Sequence, residues 1–208
     1  MVGEVRVCFV GDSLVAGVGD RHCLGWAGRL AGRAAMAGVP LTYYNLGVRR
    51  QTSSDIAARW ESECAQRLTA DADARVVFSF GVNDTYWENG AVRVPAEESA
   101  ANLRRLLRRS AELGWTVLVV APPPGTDDEH NARTVELDER FTEICAEEQV
   151  PYLRIHQPLR HNDIWMNDLR ASDGYHPDAP GYEQIAALIG PHWLRWLSEP
   201  RAGLPVVS

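Results

Sequence analysis

Five short runs rich in β-branched residues recur along the chain, at Val5–Val10, Leu41–Leu46, Val76–Phe80, Thr116–Ala121 and Pro151–Ile155. Helix-period segments are interleaved with them. Ile56, Trp60, Cys64 and Leu68 repeat every four residues; Leu103, Leu106 and Leu107, with Ser110 to Leu113, mark a second stripe; Leu137, Phe141, Ile144 and Cys145 mark a third. A last helix is expected from about Pro180 to Leu197, with Ile185, Ile189, Trp193 and Leu197 turned inward. Strands alternating with helices build a parallel sheet covered on both faces, and near-continuous apolar strands fit that double burial. In such open sheets ligands bind beyond the carboxyl ends of the strands. Site residues are therefore expected just after the runs.

At 208 residues the chain is expected to form one domain, with a core over about 5–197 and a tail over 198–208. No internal repeat, low-complexity tract or linker interrupts it. The formal net charge of −7 offers no basic field for a phosphate backbone, so nucleic-acid binding is not expected. All 21 basic residues are Arg and none is Lys. That excludes Schiff-base chemistry, Walker and kinase lysines, and Ser–Lys dyads. The remaining nucleophiles and bases are Ser, Cys, His and carboxylates. Cys8, Cys23, Cys64 and Cys145 show no paired spacing and read as small core hydrophobes in a reducing compartment. The first run begins by Val5, leaving no room for a secretory signal, and the longest apolar stretch, around Trp115–Pro123, is far short of a membrane span. The expected setting is cytoplasmic, without membrane contact.

Three segments carry chemistry. Gly11-Asp12-Ser13-Leu14 follows the first run, which puts a serine hydroxyl at the sheet's upper rim where a helix begins. An ordinary Asp/Ser helix cap explains the same four residues. Gly17-Val18-Gly19 opens a dinucleotide-type loop, but His22 stands where its third glycine belongs. Gly81-Val82-Asn83-Asp84 follows the third run, and the Asn83 amide there is placed either to donate to an oxyanion or to cap a turn. Asp84 reads as a brace for that loop. Asp173-Gly174-Tyr175-His176-Pro177 precedes the last helix; an aspartate three residues before a histidine can fix its tautomer, and Pro177 holds the His176 backbone extended.

Taken in order, with Asn45-Leu46-Gly47 after the second run, these segments make the chain resemble the GDSL-type hydrolases, also called SGNH hydrolases, over residues 5–197. The resemblance implies a three-layer α/β/α, flavodoxin-like domain with a five-stranded parallel sheet in order 2-1-3-4-5. It implies Ser13 as nucleophile, His176 as general base and acid, and Asp173 as the orienting carboxylate. It implies an oxyanion hole formed by the Ser13 N–H, a backbone N–H of the second motif and the Asn83 side chain. The implied activity is hydrolysis of carboxylic esters or thioesters of a small or medium substrate through an acyl-enzyme, with no metal or organic cofactor. A transacylase with the same acyl-enzyme, or an idle binding module of the same fold, are the rival readings.

The second motif departs from the family pattern. In Asn45-Leu46-Gly47-Val48-Arg49-Arg50-Gln51, the glycine that usually lends its N–H maps to Arg50, while Gly47 stands three residues earlier as the alternative donor. A guanidinium at position 50 either reads a carboxylate or phosphate on the substrate or turns outward to Asp55 or solvent. Arg49, Trp87 and Trp165 are further pocket candidates, the two tryptophans being read as loop residues. His22, His130, His156 and His161, even with Asp163 or Asp168, follow no metal-ligand spacing. Arg104, Arg105, Arg108 and Arg109 read as the solvated side of one helix.

Overall fold

In the computed structural model, which describes residues 4–199, each of the five apolar runs forms a strand. The expected tail beyond residue 199 lies outside the described residues. In chain order the elements are β1 (Val5–Gly11), α1 (Ser13–Ala16), α2 (Gly25–Met36), β2 (Leu41–Gly47), α3 (Ser53–Ala65), β3 (Asp73–Ser79), β4 (Trp87–Glu88) and β5 (Ala91–Val92). There follow α4 (Ala96–Glu112), β6 (Thr116–Val120), α5 (Asp128–Glu147), β7 (Tyr152–Leu153), α6 (His156–Arg160), α7 (Asp163–Arg170) and α8 (Ala179–Ser198). The main sheet has the order β2-β1-β3-β6-β7 with every pair parallel. Counted over its own five strands this is the expected 2-1-3-4-5 order, because β4 and β5 form a separate antiparallel hairpin.

Alternation along β1 sends Val7 and Phe9 to one face and Cys8 and Val10 to the other, and each set joins its own apolar cluster. On the first face Phe9 meets Trp26 of α2 and Trp193 of α8, with ring centroids 5.5 and 5.4 Å apart. On the second, Val10, Val76 and Phe78 pack with Ile56 and Trp60 of α3, Leu103 and Leu106 of α4, and Leu137 and Phe141 of α5. Helices on both faces give the three layers. Their starts are set locally. Thr52 and Asp55 form a reciprocal capping box on α3, and Asp127 accepts from His130 N at 3.0 Å at the start of α5.

Helix α2 has no counterpart among the sequence expectations. Its buried stripe consists of Trp26, Leu30 and small residues (Ala27, Gly28, Ala31, Ala34), too weak an apolar rhythm to read. The third strand begins three residues before Val76 because Arg75, a buried cation inside it, is neutralised by Asp73, whose carboxylate accepts at 2.8 Å from Nη2. Cys8, Cys64 and Cys145 are buried as expected, but Cys23 is exposed in a left-handed turn ahead of α2. No helix among the described residues is long and apolar enough to cross a membrane.

Candidate active site

The register of the three central strands builds the floor of the site. Gly11 lies level with Gly47 on one side and Ser79 on the other, so the chain leaves three neighbouring strands at one height. The backbone is tightly apposed there: a side chain on Gly11 would strike the Ser79 carbonyl oxygen of β3, and one on Gly47 would strike the Ala16 nitrogen of α1. Asp12 then caps α1, its carboxylate accepting from Leu14 N at 2.9 Å, and Ser13 is the first helical residue. The helix stops after four residues at Gly17, in the left-handed conformation that favours glycine (φ 79°). Gly17 packs on Gly25, and a side chain on Gly19 would strike Pro177 O at 2.7 Å. The glycines of the dinucleotide-like stretch thus serve a helix end and the close passage of the His176 loop.

That loop brings the outer motifs together. His176 Nε2 stands 2.8 Å from Ser13 Oγ, and His176 Nδ1 stands 2.7 Å from Asp173 Oδ2. Asp173 Oδ1 also accepts from the backbone N–H groups of Tyr175 and His176, at 3.1 and 2.9 Å. Burial pushes the Asp173 carboxyl up, but these bonds, that of the His176 side chain foremost, outweigh it and hold its pKa below the usual value. An ionised carboxylate only accepts, so the ring proton sits on Nδ1 and Nε2 is left to accept from the serine hydroxyl. Ser13 is 6 % exposed.

The remaining motif residues flank the serine. Asn83 Nδ2 donates to Gln51 O at 3.0 Å and to Asp12 Oδ2 at 3.3 Å. Burial, with the neighbouring Asp84 adding to it, pushes the Asp12 carboxyl up to about 7 against its bonds to Leu14 N–H and Asn83. Asp84 is the brace expected of it: its oxygens accept from Ser53 N at 2.7 Å and Ser99 Oγ at 2.6 Å, tying the loop to α3 and α4. Arg50 lies in the left-handed region (φ 68°), the conformation for which glycine is the usual residue. Among the described residues the backbone N–H groups of Ser13 and Arg50 donate to no acceptor. The Gly47 N–H donates to Asn45 Oδ1 at 3.0 Å, which removes it as the alternative donor of the second motif. The Arg50 side chain faces Glu88 at 3.4 Å rather than Asp55, which is occupied in capping α3.

These residues line a pocket of about 280 Å³ together with Arg49, Tyr86, Arg93 and Tyr175. Two sequence candidates fall outside it. Trp165 is fully buried on α7, not in a loop, where its indole N–H donates to Pro124 O at 3.1 Å. Trp87 belongs to β4, and its exposed ring lies 5.7 Å from the Arg133 guanidinium. The pocket instead takes Tyr86 and Arg93 from either side of that hairpin; an aromatic beside the Asn83-Asp84 motif was the signal available for Tyr86. Tyr175 was visible inside the histidine motif, but its partner was not. His130, on α5, bonds through Nε2 to Val82 O at 2.9 Å and through Nδ1 to the Tyr175 hydroxyl at 3.2 Å. Because the carbonyl only accepts, Nε2 carries the proton and the Tyr175 hydroxyl donates to Nδ1; burial lowers the His130 pKa. A larger groove of about 570 Å³ runs beside α3 and α4, but the arginines along it are partnered by Glu61, Glu112, Glu147, Glu148 and Asn102, and it holds no nucleophile. No group of three His, Cys, Asp or Glu side chains among the described residues is arranged to hold a metal ion.

The sequence model of the GDSL-like lipase/acylhydrolase family matches residues 9–184. No protein of curated function matches the chain. Among solved structures it is similar to an acetylxylan esterase from Geobacillus stearothermophilus, with TM-score 0.73, 18 % identity, and coverage of 96 % of this chain and 97 % of the other. It is similar to a lipase/acylhydrolase from Enterococcus faecalis, with TM-score 0.72, 22 % identity, and coverage of 95 % and 100 %. It is also similar to LAE5, an alpha/beta hydrolase enzyme from the metagenome of Lake Arreo, Spain, with TM-score 0.76, 19 % identity, and coverage of 96 % and 99 %. At these identities the likeness is one of fold.

Proposed function

Since the chain belongs to the GDSL-like lipase/acylhydrolase family, carboxylic ester hydrolases, we propose that it cleaves esters or thioesters of small or medium acyl groups through an acyl-enzyme on Ser13. The observation that carries this reading is the continuous line from Ser13 Oγ through His176 to Asp173, with gaps of 2.8 and 2.7 Å. Ser13 Oγ attacks the acyl carbon as His176 Nε2 takes its proton, and Asp173 stabilises the imidazolium without accepting that proton. The carbonyl oxygen gains charge and is met by the Ser13 N–H, the Arg50 N–H and the Asn83 amide, which gives up its 3.3 Å bond to Asp12 Oδ2 to reach it. Collapse expels the alcohol, which takes the proton from His176. Water then attacks the acyl-serine, passes a proton to His176, and releases the acid while Ser13 regains its hydrogen. The pocket of about 280 Å³ suits a short acyl chain. We place this chemistry in one domain, core residues 5–197, working in the cytoplasm.

A fluorophosphonate probe tests the nucleophile directly. Wild type is expected to gain one adduct on Ser13, and Ser13→Ala none; an unmodified wild type, inert towards acetyl to decanoyl esters and thioesters, would favour an idle binding module. Product analysis with an added alcohol acceptor separates hydrolysis from acyl transfer.

A further inference from the structure

The rim of the pocket is basic on a protein whose formal net charge is −7. Arg49, Arg50 and Arg93 all line it, and their compensation is incomplete. Among the described residues Glu88 is the one carboxylate within ion-pair distance of them, at 3.4 Å from Arg50 Nη2 and 3.7 Å from Arg93 Nε, while Arg93 also lies in the field of Asp55 and the buried Asp84. Arg49 is exposed and makes no hydrogen bond, ion pair or ring contact among the described residues. The acidic groups nearby are spent elsewhere: Asp173 on His176, Asp55 on the Thr52 cap, Asp12 on Leu14 N–H and Asn83. A second observation is independent of charge. Position 50 holds a left-handed backbone, where an L side chain is disfavoured, and yet carries one of the largest side chains available. Backbone strain of this kind at a site is a pointer to function rather than to packing.

Resting on the ester-hydrolase reading above, we propose that the substrate carries an anionic group, carboxylate or phosphate, close to the scissile ester, and that Arg49, Arg50 and Arg93 bind it. Planar guanidinium groups match both anions through paired N–H bonds, and an excess of one sign of charge around a cleft raises the local concentration of the opposite sign.

Three matched pairs test this through the ratio of kcat/KM for the charged over the uncharged ester, a ratio unaffected by any unfolded fraction. The pairs are 4-acetoxybenzoate against its methyl ester, 4-acetoxyphenyl phosphate against its dimethyl ester, and mono-4-nitrophenyl adipate against 4-nitrophenyl hexanoate. At low salt the ratio is expected to reach ~10 or more in at least one pair, the scale of one charge-assisted bond. The pair that shows it identifies the anion and the half of the ester that bears it. The Arg49→Gln/Arg93→Gln double variant should bring that ratio towards one, and Glu88→Gln, which frees both facing arginines, should raise it. Ratios at or below one in all three pairs, or a preference unchanged in the double variant, would overturn the proposal while leaving the esterase standing. Failure to cleave any of the six esters would instead bring down the esterase reading, and this proposal with it.

Discussion

Ser13 and Arg50 both follow a strand of the central sheet, two and three residues past its end, and they are held in opposite ways. Ser13 is buried on a capped helix, and its neighbours Asp12, Asn83 and His176 are each tied by at least two hydrogen bonds. Arg50 is exposed, its one ionic partner among the described residues is Glu88 at 3.4 Å, and its placement comes from its own left-handed backbone. The wall that would do chemistry is over-determined by packing; the wall that would read the substrate is set by a turn and by ion pairs to Glu88. Substitutions on the first wall should therefore damage rate, and substitutions on the second should alter selectivity and, slightly, stability.

The sharpest break in that contrast would come from the triad. Ser13→Ala and His176→Ala are each expected to lower kcat by on the order of 10⁴-fold or more, and the double variant little further, because residues acting as one unit do not add. Single-turnover hydrolysis of a neutral ester measures it; a fully multiplicative loss would separate their roles. Asn83→Ala, which deletes one proposed oxyanion donor, should cost ~10²–10³ in kcat with KM little changed. Next comes Asp12. An unfolded aspartate loses its proton near pH 3.9, whereas in the folded protein Asp12 keeps it up to about pH 7. The folded state thus binds more protons between these values, so this group's contribution to stability is full at low pH, falls as pH rises through the window, and is flat above it. Urea unfolding of Asp12→Asn at pH 5 and pH 8 should show a smaller difference between the two than wild type does. The smallest effect belongs to Arg50→Gly. Relief of a left-handed side chain, ~1–2 kcal/mol, offset by glycine's greater freedom when unfolded, leaves a net gain of roughly 0.5 kcal/mol. Thermal unfolding detects it, and kcat on neutral esters should stay within a few-fold if only the backbone N–H matters.

The sheet was legible because its three central strands are buried on both faces, so burial writes itself as uninterrupted apolar runs such as Thr116–Ala121. The hydrogen-bonded line of Ser13, His176 and Asp173 was legible for a related reason: these residues follow a strand end or precede the last helix, and position along the chain then orders the motifs. What stayed hidden depends on pairing across the fold. Arg75 looks like a break in a strand until Asp73 and the end of α8 are seen around it. Asp20, whose carboxylate accepts from Gly25 N at 2.8 Å and pairs with Arg29, starts a helix that apolar periodicity cannot show. Trp165 looks like a loop aromatic because the carbonyl that takes its indole N–H, Pro124 O, lies far away in sequence. Arg93 reached the pocket only through the fold of the β4–β5 hairpin, which two-residue strands cannot announce.

The environment of Arg75 carries a consequence for how the chain is made. Its guanidinium, 1 % exposed, donates to Asp73, to the Trp196 carbonyl and, at 2.8 Å, to the Glu199 carbonyl. Arg75 leaves the ribosome well over a hundred residues before those two carbonyls do. Until they arrive, a cation destined for the interior of β3 has only part of its hydrogen-bonding capacity met, and burying it so is costly. Closure of the lower end of the central strands is therefore coupled to the docking of α8, which brings those two carbonyls to Arg75.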